Sequence, residues 1–132
     1  REKLHVRSEL ANFTLSLGAT VNMDGVCIHL PVFAVLAANL FGFELTLPQI
    51  LIMIASVVFA SIGAGGVPGG SIFLLVMVLE TLPLSASQVS VIIALAMGIN
   101  PLLDMFETAC NVAGDNIGTY VIGKTMGMFD KE

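Results

Sequence analysis

The stretch GATVNMDGV (residues 18–26) places an Asn, an Asp and a Gly inside one of the most apolar parts of the chain. Hydrophobic residues make up 56% of the chain and charged residues 11%, whereas a typical soluble domain carries about 25% charged residues. The runs 26–43 and 48–79 contain no Asp, Glu, Lys or Arg. Because apolar runs of about 18 or more residues are typical of membrane segments, we predict an all-α integral membrane protein.

The basic residues indicate how the chain crosses the membrane. Three apolar blocks lie at about 13–42, 48–82 and 86–123, and no Lys or Arg occurs between residues 8 and 123. The basic residues flank the blocks: Arg1, Lys3 and Arg7 precede the first, and Lys124 and Lys131 follow the third. Since Lys and Arg next to membrane segments favour the cytoplasmic side, both ends are expected there, in a multi-pass protein of the cell membrane. Three blocks must then make an even number of crossings, so one block enters and leaves on the same side.

The second block is the candidate for that behaviour. Its centre, SIGAGGVPGGS (residues 61–71), contains five Gly and one Pro, a composition that ends a helix. The arms at 50–60 and 72–82 are both too short to span a bilayer core of about 30 Å. We therefore predict a re-entrant helical hairpin, with a single kinked spanning helix as the alternative.

The third block carries polar residues at helical spacing. They recur every three or four positions and share one face of a helix: Asn100, Asp104, Glu107, Thr108, Asn111 and Asp115. Polar groups in a membrane helix are costly unless they face a cavity or partners. We predict an amphipathic spanning helix that lines a cavity, with a polar contact between helices as the alternative.

The opening motif predicts a break in the first helix. Asn and Asp bond their own backbone, and Gly relaxes helical geometry. The break would free backbone carbonyls next to the Asp24 carboxylate. Such hard oxygen ligands bind alkali cations in broken-helix transporters, whereas no spacing of His and Cys suggests a transition metal.

Three motifs in order, GATVNMDG, SIGAGGVPGG and DMFETACNVAGD, resemble the glutamate transporter family, the dicarboxylate/amino acid:cation symporters. The resemblance implies that the blocks are the seventh transmembrane helix, the second re-entrant hairpin and the eighth helix. Residues 1–132 would then be the C-terminal part of one transport domain. The chain begins at Arg1 without an initiator Met, so we expect a longer polypeptide. Its scaffold and first hairpin would be missing here, and the scaffold would form a homotrimer.

The resemblance also implies Na⁺ sites, with H⁺ as the other candidate for the driving ion. One site is expected at Gly18, Asn22, Asn111 and Asp115. Another is expected at Thr20, Met23, Ser61, Ile62 and Ala64, where Ala64 replaces a Thr often seen in the family. A third is expected at Asn22 and Asp24.

The substrate site is implied in the same way. Asp104 would hold the α-ammonium of an amino acid and Asn111 its α-carboxylate, with Thr108 beside them. The hairpin tip at Gly66 and Val67 would cover the substrate as an extracellular gate.

The positions that contact the substrate side chain depart from the family pattern. Glu107 stands where members that carry acidic substrates have an Arg, and Asn100 stands where an Asp commonly supports that Arg. Val26 replaces a Thr, and Ser71 replaces a Gly of the hairpin. A substrate carboxylate beside Glu107 would meet like-charge repulsion, so the departures disfavour glutamate and aspartate.

These observations predict cation-coupled symport of an amino acid, neutral rather than acidic, by a protein that is not an enzyme and binds no nucleic acid. A cationic amino acid or a dicarboxylate is the alternative substrate. An anion channel and an intramembrane aspartyl enzyme using Asp24 and Asp104 are the alternative classes. For His29 we expect packing or a backbone hydrogen bond rather than a proton-relay role.

Overall fold

The computed structural model describes residues 4–130 as helices joined by loops and one isolated β-bridge. The five helices are α1 Ser8–Val21, α2 Asp24–Phe41, α3 Leu47–Gly63, α4 Gly70–Leu79 and α5 Ala86–Met126. The basic residues Arg1, Lys3 and Lys131, which contributed to the topology prediction, lie outside the described residues. The prediction of an all-α architecture is confirmed.

The first block is a broken helix, as the NMDG motif predicted. Asn22 is extended, with φ −93° and ψ 92°, and separates α1 from α2. Together Ser8–Phe41 form an apolar stretch of 34 residues that is long enough to cross a membrane. The helix begins at Ser8, five residues before the predicted start, because Leu10 and Ala11 are buried near the C-terminal Met128 and Phe129.

The second block is a helix–tip–helix hairpin whose arms are unequal. The prediction of two equally short arms is wrong: α3 has 17 residues and α4 has 10, or about 26 Å and about 15 Å. α3 begins early because Thr46 and Gln49 form a capping box, and it runs to Gly63. α4 ends at Leu79, where turns precede Pro83.

The third block is one helix of 41 residues, capped by Ser85 and Gln88 at its start and by the left-handed Gly127 at its end. It is the second helix long and apolar enough to cross a membrane. α1 and α2 both pack against it, and α4 packs between α2 and α5. The fully buried core residues Leu30, Leu75, Leu79 and Ile92 fill this junction.

Both ends of the described chain lie together. Val6 and Phe129 form an antiparallel bridge, the Arg7 amide donates to the Met128 carbonyl at 3.0 Å, and the Asp130 amide donates to the His5 carbonyl at 2.8 Å. On the hairpin, the apolar side chains of Phe59 in α3 and Phe73 in α4 are 77% and 79% exposed. Exposed apolar surface of this kind fits contact with lipid or with other protein.

The crossing of α2 and α5 depends on Gly25. A methyl group at this position would overlap the main chain of Glu107. Gly25→Ala should therefore push the helices apart and lower the free energy of unfolding by about 1–3 kcal/mol, the usual cost of overpacking. Thermal unfolding in detergent measures the effect. Gly118→Ala on α5 is the control, because its added methyl meets nothing within 4 Å. Equal melting temperatures for the two variants would refute this close contact.

Candidate functional site

The break between α1 and α2 is held by polar side chains of α5. The Asn22 amide donates from Nδ2 to Asp115 Oδ1 at 3.0 Å and to Asp24 Oδ2 at 3.3 Å. The Gly25 amide donates to Asn111 Oδ1 at 2.7 Å. Asn111 therefore pairs a main-chain amide that a continuous helix would have paired internally, and Asp115 holds the side chain of Asn22 at the break.

Close approach at this junction requires glycine on both sides. A methyl group on Gly18 would overlap the Asp115 carboxylate, and one on Gly114 would overlap the Asp24 carboxylate. The four residues Gly18, Asn22, Asn111 and Asp115, expected to form one cation site, are thus brought together, with Asp24 next to them. Two carboxylates share one Asn22 amide here, and the described residues place no Lys or Arg beside them.

The donor set at the break fits a hard cation. The main-chain amide of Asn22 closes the last turn of α1 by donating to the Gly18 carbonyl at 2.8 Å. The next carbonyls, of Ala19, Thr20 and Val21, accept no main-chain hydrogen bond within residues 4–130. Carboxylate and carbonyl oxygens are the ligands of cations such as Na⁺ in broken-helix transporters. The described residues contain no cluster of three or more His, Cys, Asp or Glu, so carbonyls would have to supply part of any such site.

The other expected cation ligands are only partly assembled. Met23 and Ala64 line a cavity next to the break, which is described below, whereas Thr20 and Ile62 are exposed and lie outside this cavity. The hydroxyls of Thr20 and Ser61 donate to carbonyls of their own helices, those of Leu17 and Val58, both at 2.8 Å.

A cavity of about 220 Å³ lies between the break, the hairpin tip and the polar face of α5. The eight expected substrate residues all line it: Val26, Gly66, Val67, Ser71, Asp104, Glu107, Thr108 and Asn111. The Ser71 hydroxyl is buried there without a partner among the described residues, and the side-chain Oδ1 of Asn100 on α5, outside the cavity lining, is also buried without one. Such unsatisfied groups are costly unless a ligand or water pairs them.

Two walls of this cavity are fixed by contacts. The Asn111 side chain accepts from Gly25 and donates from Nδ2 to the Met23 sulfur at 3.3 Å. Since a thioether is a weak acceptor, Nδ2 keeps capacity to donate to a carboxylate. On the other side, the tip closes on the Ala19 carbonyl at Gly66, whose φ of +63° favours glycine.

His29 is a residue that the sequence interpretation did not place at the site. Its ring packs edge-on against Phe33 with the ring centroids 4.9 Å apart, which agrees with the packing role expected from the sequence. Its polar partner is different from the expected backbone group, because Nδ1 contacts Glu107 Oε1. The signal was present in the sequence: an acid in a block without Lys or Arg needs a partner, and His29 lies four residues after Gly25 on the same face of α2.

Comparison with known proteins identifies the family. The chain is 41% identical to excitatory amino acid transporter 3 of Mus musculus over 123 residues, which cover 93% of the chain and 23% of that protein. It is 36% identical to neutral amino acid transporter B(0) of Rattus norvegicus over 117 residues, covering 89% of the chain and 20% of that protein. The chain thus spans less than a quarter of the length of these relatives.

The broken helix, the glycine-rich hairpin and the polar-faced helix define an all-α membrane protein with a cavity at a helix break. A model of the sodium:dicarboxylate symporter family matches residues 1–125, and the chain belongs to this family. The predicted resemblance is therefore confirmed. The relatives are named as transporters, which agrees with the prediction of a protein that is not an enzyme.

The contact of the tip with α1 can be tested with two neighbouring glycines. Gly65 and Gly66 both have positive φ, so alanine strains the backbone at either position. Only at Gly66 would the added methyl overlap the Ala19 carbonyl, whereas at Gly65 the nearest atom is 3.9 Å away. Gly66→Ala should raise hydrogen–deuterium exchange both in the tip and at residues 19–23, and Gly65→Ala should raise it in the tip alone. The same exchange pattern in both variants would exclude this docking contact.

Proposed function

We propose that the chain is the C-terminal part of one transport domain of a symporter that couples Na⁺ to uptake of an amino acid. The observation that carries this proposal is the cavity, in which Asp104, Thr108 and Asn111 lie together next to the carboxylates of the helix break. An amino acid offers an ammonium and a carboxylate, which match Asp104 and the Nδ2 of Asn111. The names of the relatives support an amino-acid substrate, and the family description supports sodium-coupled symport.

Na⁺ is the proposed co-transported ion, ahead of H⁺. Asp24 and Asp115 share the Asn22 side-chain amide without a nearby Lys or Arg among the described residues, and a carboxylate within a membrane segment is costly without a partner of opposite charge. A bound cation would offset their charge, and the unpaired carbonyls of α1 would complete its oxygen shell. Asn111 belongs to both the cation cluster and the cavity wall, which supports a direct link between ion and substrate.

The proposed substrate is a neutral amino acid. Glu107 lines the cavity at the position where the resemblance implies an Arg in members with acidic substrates. A substrate carboxylate would face this acid and Asp104, one helical turn away. Among the relatives, the name of neutral amino acid transporter B(0) fits this preference. Two acids in one cavity also make a cationic amino acid the second candidate.

The membrane arrangement extends the same proposal. Both described ends lie together, which supports an even number of crossings, and the distribution of Lys and Arg favours the cytoplasm for both ends. The hairpin would then be re-entrant, since its arms of 17 and 10 residues are short for a bilayer core of about 30 Å. The exposed apolar surface would be covered by lipid and by a scaffold through which the protein forms a homotrimer in the cell membrane.

The cation assignment predicts the effect of Asp115→Asn. The change removes one charge from the cluster at the helix break, so the Na⁺ concentration for half-maximal uptake should rise roughly tenfold or more. Substrate affinity should fall with it, because binding of the two ligands is linked reciprocally. Uptake by the full-length polypeptide in proteoliposomes under an imposed Na⁺ gradient measures both. Asp130→Asn is the matched control on an exposed residue, and an unchanged Na⁺ dependence of Asp115→Asn would reject the assignment.

The substrate assignment predicts the effect of Glu107→Arg. The wild type should take up serine more efficiently than aspartate. Glu107→Arg should shift that ratio toward aspartate by roughly tenfold or more, since Arg forms a bidentate ion pair with a substrate carboxylate whereas Oε2 of Glu107 can only accept hydrogen bonds. Adding Asn100→Asp and Val26→Thr should enlarge the shift. Glu80→Arg, on an exposed loop, is the control. Greater efficiency for aspartate in the wild type, or no shift in any variant, would disprove the assignment.

A further inference from the structure

The contact between His29 and Glu107 joins α2 to α5 at the wall of the cavity. Nδ1 of the imidazole meets Oε1 of the carboxyl group. The two residues are only 7% and 6% exposed. Glu107 lines the cavity, and its Oε1 is turned toward His29, so Oε2 is the oxygen left to face a ligand.

The surroundings contain no other positive charge that could offset Glu107. The sequence has no Lys or Arg between residues 8 and 123. α4, which packs against both α2 and α5, has no ionisable residue, and neither does α3. On α5 the nearest charged residue is Asp104, which is also acidic. His29 Nε2 has no partner among residues 4–130, so Glu107 is the one polar partner of this imidazole in the described chain.

A buried carboxylate without a counter-charge is strongly unfavourable, and a second negative charge beside Asp104 increases the cost. An imidazole that is protonated at Nε2 and holds a second proton between Nδ1 and Oε1 removes that cost, because the pair then has no net charge. The same proton keeps Oε2 an acceptor of hydrogen bonds without making the cavity more negative.

We infer that His29 is a specificity-determining positioning residue, which makes Glu107 part of a neutral pair and so selects substrates with a neutral, hydrogen-bond-donating side chain over cationic ones. The inference rests on the proposed function and deepens it. A hydroxyl, thiol or amide can donate to Oε2, whereas a cationic side chain needs a carboxylate whose charge is not already balanced. His29 acts through Glu107 and does not itself line the cavity.

The test separates the charge of the pair from its packing. His29→Phe keeps an aromatic ring against Phe33 but removes the partner of Glu107. The ratio of serine uptake to uptake of 2,3-diaminopropionate should fall about tenfold or more, because an unbalanced carboxylate then favours the ammonium side chain. The double variant His29→Phe/Glu107→Gln should regain the serine preference that His29→Phe loses. Glu107→Gln alone should keep that preference. Equal losses for both substrates in His29→Phe, or no restoration by Glu107→Gln, would show packing alone and overturn the inference.

A spectroscopic measurement tests the pair independently of transport. In ¹⁵N-histidine-labelled protein in lipid at neutral pH, the resonance that disappears in His29→Phe should show a protonated Nδ1 that shares its proton with Glu107. Glu107→Gln should convert it to the signature of an ordinary neutral imidazole. An identical His29 resonance in the wild type and in Glu107→Gln would overturn the inference even if transport is seen. A proton shared in the wild type alone would support the pair even if amino-acid uptake, and with it the proposed function, failed.

Discussion

The repair of the broken helix by α5 is the interaction on which the other features depend. In an apolar medium each unpaired backbone group costs several kcal/mol, and the extended Asn22 leaves several such groups behind. Asn111 accepts from the main-chain amide of Gly25 at 2.7 Å, and Asp115 accepts from the side-chain amide of Asn22 at 3.0 Å. These bonds fix the position of α5 against both halves of the first helix, and the hairpin then packs on the resulting surface.

This repair is incomplete, because negative charge and hydrogen-bond donor capacity remain at the junction. Asn22 offers one amide to two carboxylates, those of Asp24 and Asp115, so negative charge remains at the break. Asn111 uses its oxygen for the break but keeps donor capacity toward the cavity. A cation at the break and a carboxylate in the cavity would therefore stabilise the same junction, which gives a physical basis for coupling between them.

Local chemistry made much of this architecture predictable. The NMDG break, the glycine-rich tip and the polar face of α5 follow from residues that end helices or share a helical period. Features that depend on contact between distant elements were missed. The early start of α1 depends on the C-terminal segment, and the contact of His29 with Glu107 depends on how α2 crosses α5 at Gly25. The spacing of residues within one helix does not determine how that helix is aligned against another helix, so contacts between helices could not be predicted from it.

The register between the helices also separates the two chemical tasks of α5. Asp115 meets α1 at Gly18 and Asn22, whereas Glu107, two turns earlier, meets α2 at Gly25 and His29. Asn111 lies between them and contacts the first residues after the break. A change of the Glu107 or His29 side chain would therefore alter the cavity wall while leaving Asn111 and Asp115, the residues that repair the helix, in place. In the proposed transporter, the break would fix where an amino acid sits, and the α2–α5 crossing would determine which side chain fits.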